Sequence, residues 1–280
     1  MHLSTISQFT DRFGILLPQL IALDMDGTLL DGNGHLPPDF AAISTRAHQL
    51  GVTLVPASGR QLATLQEMFP REDTFIAENG SVVVHDNRVI SATTLPGTAV
   101  RAAVAALQSV ETPHTVVLCT PDTAYVHKGA DEQARAEIAK YYRSVEWVDD
   151  LDALLDADII KIAAYCAEGS EKHLHQPLLA AVPEHNIAIS GDVWLDVMAA
   201  GVNKGVALQT MAELLSVPIP RTAAFGDFLN DYELLREAGT AIAMENAHPK
   251  LKEIADHIAP PNTKYGVMTV LRQLFDSEES

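Results

Sequence analysis

Short apolar runs alternate with helical stretches along most of this chain, and the rhythm of that alternation changes twice. Residues 20–23 are uniformly apolar and predict a strand, and 38–50 predict a helix that stops at Gly51. Residues 52–57 predict a second strand, 61–69 a helix and 74–77 a third strand. Residues 81–84 and 88–90 predict a hairpin that turns on Asp86 and Asn87. Toward the other end, helices are expected at 204–215, 231–238 and 249–255, with strands at 223–225 and 240–243. Continuous apolar strands separated by helices imply a parallel sheet covered on both faces.

From about residue 96 to 199 the spacing differs. Helices are expected at 99–107, 131–142 and 171–182, with strands at 115–119, 124–127, 159–166, 187–190 and 193–197. Neighbouring strands with short links form hairpins, so this stretch predicts an antiparallel sheet with helices. The expected fold class is therefore α/β: a Rossmann-like core from residues 1–95 and 200–280, into which an α+β domain of residues 96–199 is inserted. Residues 1–20 form an N-terminal extension. Val100, Val104 and Leu107 recur at helical spacing and belong to the core of the inserted domain.

Composition narrows the classes. With 47% hydrophobic residues in 280, the chain can build a substantial core. No run approaches the roughly 18 apolar residues of a membrane span, and residues 1–20 lack the pattern of a signal peptide. Cys119 and Cys166 have no metal-like spacing, and buried thiols in a reducing, cytoplasmic setting are expected. The net charge of −18 argues against nucleic acid and against an anionic membrane as partners. A monomer or homodimer acting on a small molecule is expected.

The strand ends carry the chemistry. In Ile-Ala-Leu-Asp24-Met25-Asp26-Gly-Thr, two carboxylates that repel each other stand at the tip of a strand. The second strand runs into Ser58-Gly59-Arg60, a hydroxyl, an amide and a guanidinium that together suit an anion. Lys204 opens a helix, where its charge opposes the helix dipole, so a bound anion is expected beside it. A further strand ends in Gly226-Asp227-Phe228-Leu229-Asn230-Asp231. Each piece alone is a common turn or cap; all four in order form a carboxylate cluster with cationic and hydroxyl donors. Such a set suits Mg2+ and a phosphoryl group.

These four segments, in this order and spacing, resemble the motifs of the haloacid-dehalogenase superfamily of phosphohydrolases. Glu78-Asn79-Gly80 and the insertion after it resemble the Cof-type branch, which has a large α+β cap. Phe228 stands where relatives commonly carry a small residue, and Glu245 where a glycine is usual.

The resemblance implies a Mg2+-dependent phosphatase in which Asp24 attacks phosphorus and forms an aspartyl phosphate. Asp26 then serves as general acid and base. Asp24, the Asp26 backbone carbonyl and Asp227 would hold the metal. Met25, Ser58, Gly59, Lys204 and Asn230 would bind the phosphoryl oxygens, and Asp231 would hold a metal-bound water or orient Lys204. The implied substrates are small phosphomonoesters, such as sugar phosphates or phosphorylated vitamins. A phosphomutase using the same aspartyl phosphate, and a non-catalytic phosphometabolite-binding protein, are the alternatives. Arg60 is open between a substrate contact and a structural ion pair. Asp196 lies near the return to the core, and His173 and His175 point to different helix faces and suit a solvated surface better than a metal.

Overall fold

The computed structural model describes residues 17–276. The expectations for residues 1–16 therefore lie outside the described part of the chain. The chain divides into two compact units, one comprising the described residues up to Ala57 and from Lys204 onward, the other Ser58–Asn203.

In the first unit, strand β1 (Leu20–Leu23) is followed by helix α1 (Phe40–Gln49) and strand β2 (Thr53–Pro56). The second unit then begins with α2 (Leu62–Met68), β3 (Phe75–Ala77), β4 (Val82–His85) and β5 (Arg88–Ala92). It continues with α3 (Gly97–Gln108), β6 (Thr115–Cys119), β7 (Ala124–His127), α4 (Glu132–Tyr141) and β8 (Val145–Val148). It closes with β9 (Lys161–Tyr165), α5 (Gln176–Ala181), β10 (Asn186–Ile189) and β11 (Trp194–Met198). The first unit resumes with α6 (Lys204–Leu214), β12 (Thr222–Gly226), α7 (Tyr232–Glu237) and β13 (Thr240–Met244). Helix α8 (Pro249–Ile254), strand β14 (His257–Ala259) and helix α9 (Gly266–Asp276) end it.

The first unit is built on a five-stranded sheet of order β14-β13-β12-β1-β2 with every pairing parallel. All four residues of β1 are buried, as a strand flanked on both sides and covered on both faces must be. β1 connects forward to β2 on one side and pairs with β12 on the other, so the strand order reverses between β1 and β12. Ligands of open parallel sheets sit outside the carboxyl ends of the strands at such a reversal. Leu23 is in register with Phe225, which brings Asp24 and Asp227 out at the same end of two adjacent strands. Helix α9 was not foreseen, although Val267, Val270, Leu271 and Leu274 recur along one buried face of it.

The second unit holds a six-stranded sheet of order β10-β11-β9-β6-β7-β8. Its pairings are antiparallel except β7 with β8, which run parallel because α4 crosses between them. One face of this sheet, through Leu118, Ile162, Ala164, Leu195 and Val197, packs on Val100, Val104 and Leu107 of α3. The same cluster takes in Leu174 and Leu178. β3 does not join the parallel sheet as its apolar sequence suggested. It pairs antiparallel with β4 in a separate three-stranded sheet. The β4–β5 turn places Asp86 and Asn87 at φ 49° and 56°, the left-handed pair that a two-residue hairpin turn requires.

His173 is not solvated: it is half-buried, its Nδ1 lies 3.1 Å from Thr112 Oγ1, and its Nε2 is buried. Cys119 and Cys166 are both buried free thiols. Among the described residues no helix is long and apolar enough to cross a membrane.

Helices α6 and α7 approach so closely that a Cβ on Gly205 would lie 2.4 Å from the Glu233 carbonyl oxygen. Gly205→Ala must therefore push α6 off α7 and shift the adjacent Lys204. A loss of about 1–3 kcal/mol in urea unfolding is expected; an unchanged midpoint would contradict this packing.

Candidate active site

Asp24 follows β1 directly, and its N–H donates to the Phe225 carbonyl of β12 (3.2 Å), so the sheet fixes its backbone. Past it the chain turns within a few residues. Gly27 supplies φ +80°, and a Cβ there would stand 2.2 Å from Asp227 Oδ2. Only glycine lets this turn and Asp227 come so near. Thr28 Oγ1 then donates to Asp227 Oδ1 (3.0 Å), and Asn246 Nδ2 donates to the Gly27 carbonyl (2.8 Å). Met25 is fully buried, whereas Asp26 is exposed. Neighbours in sequence, Asp24 and Asp26 thus occupy different surroundings.

Lys204, the first residue of α6, is completely buried. Its Nζ donates to Asp24 Oδ1 and to Asp231 Oδ1, each at 2.6 Å. The anions that offset its charge at the helix start are these two carboxylates. Asp231 is equally buried, and its other oxygen accepts from the N–H groups of Asp227 (3.0 Å) and Phe228 (3.2 Å). Asp231 therefore ties Lys204 to the loop that carries Asp227. Burial, together with the neighbouring Lys204-bound carboxylates, shifts the acids strongly. Burial and then Asp231 raise Asp24 from 3.8 to about 7, with Lys204 opposing. Burial and then Asp24 and Asp231 raise Asp227 to about 9. Lys204 shifts upward as well: burial alone would lower it, but Asp231 and then Asp24 hold its pKa above the ordinary lysine value.

Asp24, Asp227 and Asp231 each offer a carboxylate oxygen within 4.8 Å of the others, a grouping that could hold a metal ion. Three carboxylates against one ammonium leave an excess of two negative charges when all are ionised. Hard oxygen donors and that excess fit a divalent cation such as Mg2+.

Asn230 lies half-buried between Asp227 and Asp231 in the same loop. Ser58, Gly59 and Arg60 belong to the second unit. Ser58 is buried, and its Oγ accepts from the Arg60 N–H (3.2 Å). Arg60 is buried too; its Nη1 donates to the Lys140 carbonyl (2.7 Å), and its guanidinium stacks 4.9 Å from the Tyr141 ring centroid. These contacts hold the guanidinium against other parts of the second unit. Asp196 is buried and accepts from Asn79 Nδ2 (2.6 Å) and Ser190 Oγ (2.7 Å). Sequence reasoning passed over Thr28, Asn246 and Lys161. The clearest signal was Lys161 itself, a charge set inside the apolar stretch Ile159-Ile160-Lys161-Ile162-Ala163-Ala164.

Asp24 and Asp227 thus stand at the carboxyl ends of two adjacent parallel strands, and a buried lysine joins Asp24 to Asp231 in the loop beyond Asp227. The chain belongs to the haloacid dehalogenase-like hydrolase family, whose model matches residues 21–271. It is an enzyme of the phosphatase class. It is 30% identical to the 5-amino-6-(5-phospho-D-ribitylamino)uracil phosphatase YbjI of Escherichia coli, over 93% of this chain and 97% of that protein. It is also 30% identical to the putative phosphatase YkrA of Bacillus subtilis, over 91% of this chain and 97% of that one. The crystal structure of SMU.1108c from Streptococcus mutans has the same fold, with a TM-score of 0.85 at 24% identity over 92% of this chain and 99% of the other.

Removing the ammonium while leaving its buried carboxylates should be costly. Lys204→Met is expected to lose about 3–5 kcal/mol of stability, measured by urea denaturation in a metal-free buffer. A loss below about 1 kcal/mol would show that the acids do not depend on it.

Proposed function

We propose that the protein hydrolyses small phosphomonoesters through a phosphoryl group carried transiently on Asp24. The observation that carries this reading is the buried Lys204 bound at once to Asp24 and Asp231, with Asp227 close by. Asp24 attacks phosphorus as the ester oxygen leaves, which gives an aspartyl phosphate and an alcohol. The exposed Asp26 gives its proton to the leaving oxygen and later takes one from the attacking water. That water releases inorganic phosphate and restores the Asp24 carboxylate. An ammonium has three N–H donors, and Lys204 commits two to carboxylates, so the third serves a phosphoryl oxygen. The Met25 N–H, the Ser58 hydroxyl, the Gly59 N–H and Asn230 complete the phosphoryl-binding set. Asp24, the Asp26 carbonyl and Asp227 hold Mg2+, with Asp231 supporting them. When bound, the ion supplies the positive charge that lets a carboxylate approach an anionic phosphate.

The substrates we assign are sugar phosphates or phosphorylated cofactor precursors. The names of relatives support the second group: YbjI of Escherichia coli is a phosphatase of 5-amino-6-(5-phospho-D-ribitylamino)uracil, and a 25% identical relative in Shigella flexneri is an HMP-PP phosphatase. Substrate selection is assigned to the inserted domain of residues 96–199, and catalysis to residues 1–95 and 200–280. Phosphate release across a panel of phosphorylated metabolites tests the assignment, and activity confined to esters outside both groups would refute it.

Asp24→Asn is nearly isosteric and is expected to abolish phosphate release while the chain stays folded. Retention of a tenth of the wild-type rate would rule out a covalent role. EDTA should stop turnover and Mg2+ should restore it. Mg2+ should also raise the melting temperature of the wild type but not of Asp227→Asn. Full activity in chelator would remove the ion from the mechanism.

The role of Asp26 depends on the leaving group. General acid assistance is typically worth about 10²–10⁴-fold, and p-nitrophenolate needs far less of it than a sugar alkoxide. In rapid-quench measurements of the first step, Asp26→Asn should therefore slow a sugar phosphate more than p-nitrophenyl phosphate. Equal slowing would leave Asp26 with a positional role only.

A further inference from the structure

Lys161 opens β9 and is buried to within 1% of its surface. Its ammonium lies 2.5 Å from Glu78 Oε2 and donates to the Gly59 carbonyl at 2.7 Å. Glu78 is fully buried, its Oε1 has no hydrogen-bond partner, and burial raises its pKa despite Lys161. A solvent-free charge in a strand is expensive, so a role for it is called for.

The surroundings of the Ser58–Arg60 loop supply that role. The Ser58 N–H donates to the Ile76 carbonyl (2.9 Å), the Asn79 N–H to the Ser58 carbonyl (2.9 Å) and the Glu78 N–H to the Arg60 carbonyl (3.1 Å). Glu78 and Asn79 reach these carbonyls through two consecutive left-handed residues, φ 52° and 54°, a conformation that non-glycine residues adopt only when neighbours impose it. Lys161 stands against the Glu78 carboxylate, and Asp196 with Ser190 against the Asn79 amide. Three consecutive carbonyls, those of Ser58, Gly59 and Arg60, are thus held by Asn79, Lys161 and Glu78. A Cβ on Gly59 would lie 3.0 Å from Asn79 Nδ2, so a side chain there would press on the Asn79 amide.

We propose that Lys161, with Glu78, is a positioning residue for phosphate binding: it fixes the Gly59 carbonyl and holds the Glu78–Asn79 turn against the Ser58 carbonyl, and so orients the Ser58 hydroxyl and the Gly59 N–H for a phosphoryl group. This rests on the assignment of Ser58 and Gly59 as phosphate donors. The Gly59 carbonyl shares its peptide plane with the Arg60 N–H, which donates to Ser58 Oγ (3.2 Å), and the Gly59 N–H shares its plane with the Ser58 carbonyl that Asn79 holds. Donors already aligned lose less on binding.

The test compares the wild type with Lys161→Met and with the double variant Glu78→Gln/Lys161→Met, which removes both buried charges together. The double variant should regain much of the thermal stability lost by the single one. It should nevertheless keep a KM for p-nitrophenyl phosphate and an inhibition constant for inorganic phosphate raised about tenfold, the worth of a bond or two to a charged group. The Mg2+ concentration for half-maximal activity should not move, since the carboxylates that we assign to the metal are elsewhere. A double variant with wild-type KM and inhibition constant would show that Lys161 only balances Glu78, and would overturn the proposal. Hydrogen exchange on the wild type needs neither turnover nor a variant that folds. The Glu78 and Asn79 amides should exchange as slowly as core strands, and loop-like exchange would overturn the proposal. If the wild type releases no phosphate from any ester, the phosphatase assignment fails by itself, and hydrogen exchange still decides whether the clasp exists.

Discussion

The burial of a single ammonium organises the parallel-sheet unit. Lys204 has no exposed surface, and its pairing at 2.6 Å with both Asp24 and Asp231 is what makes three neighbouring acids tolerable in a protein interior. Each partner is anchored independently: Asp24 by the Phe225 carbonyl of the adjacent strand, Asp231 by two backbone N–H groups of its own loop. Because α6 begins at Lys204 and Gly205 lets it lie against α7, helix packing sets the depth of the ammonium. One cation faces three carboxylates, and burial together with the neighbouring acids drives both Asp24 and Asp227 upward in pKa. The three acids together could hold a divalent ion.

The second unit solves a similar problem with different materials. Lys161 and Glu78 are also buried and paired, but the ammonium there spends a donor on a backbone carbonyl. Its product is geometry in the Ser58–Arg60 loop. Arg60 contributes to the same end, since its guanidinium closes on the Lys140 carbonyl and the Tyr141 ring.

Much of this was legible in the sequence because apolar periodicity and strand-end chemistry are local signals. Strands β1, β6 and β7 fall where alternation and apolar runs put them, and Asp86-Asn87 marked its turn through left-handed propensity. Partner choice was not legible. β3 is as apolar as a central parallel strand, yet it pairs antiparallel with β4, a decision made by tertiary contacts rather than by its own residues. The acids Asp24 and Asp227 announced themselves by position after strands. The clasp of Lys161, Glu78 and Gly59 joins residues up to 102 positions apart, and no local pattern encodes such a meeting. Lys161 alone gave a hint, as a charge inside an otherwise apolar strand, and His173 misled because helical spacing does not reveal which loop will cover a side chain.

The central claim is that Asp24, and not a neighbouring acid, carries the phosphoryl group. Acid-quenching the enzyme during turnover and treating it with borohydride converts an acyl phosphate to a primary alcohol, which peptide mass spectrometry locates. The alcohol is expected at residue 24 and should be lost when substrate is omitted. An alcohol at position 26, 227 or 231, or none while phosphate is still released, would contradict it.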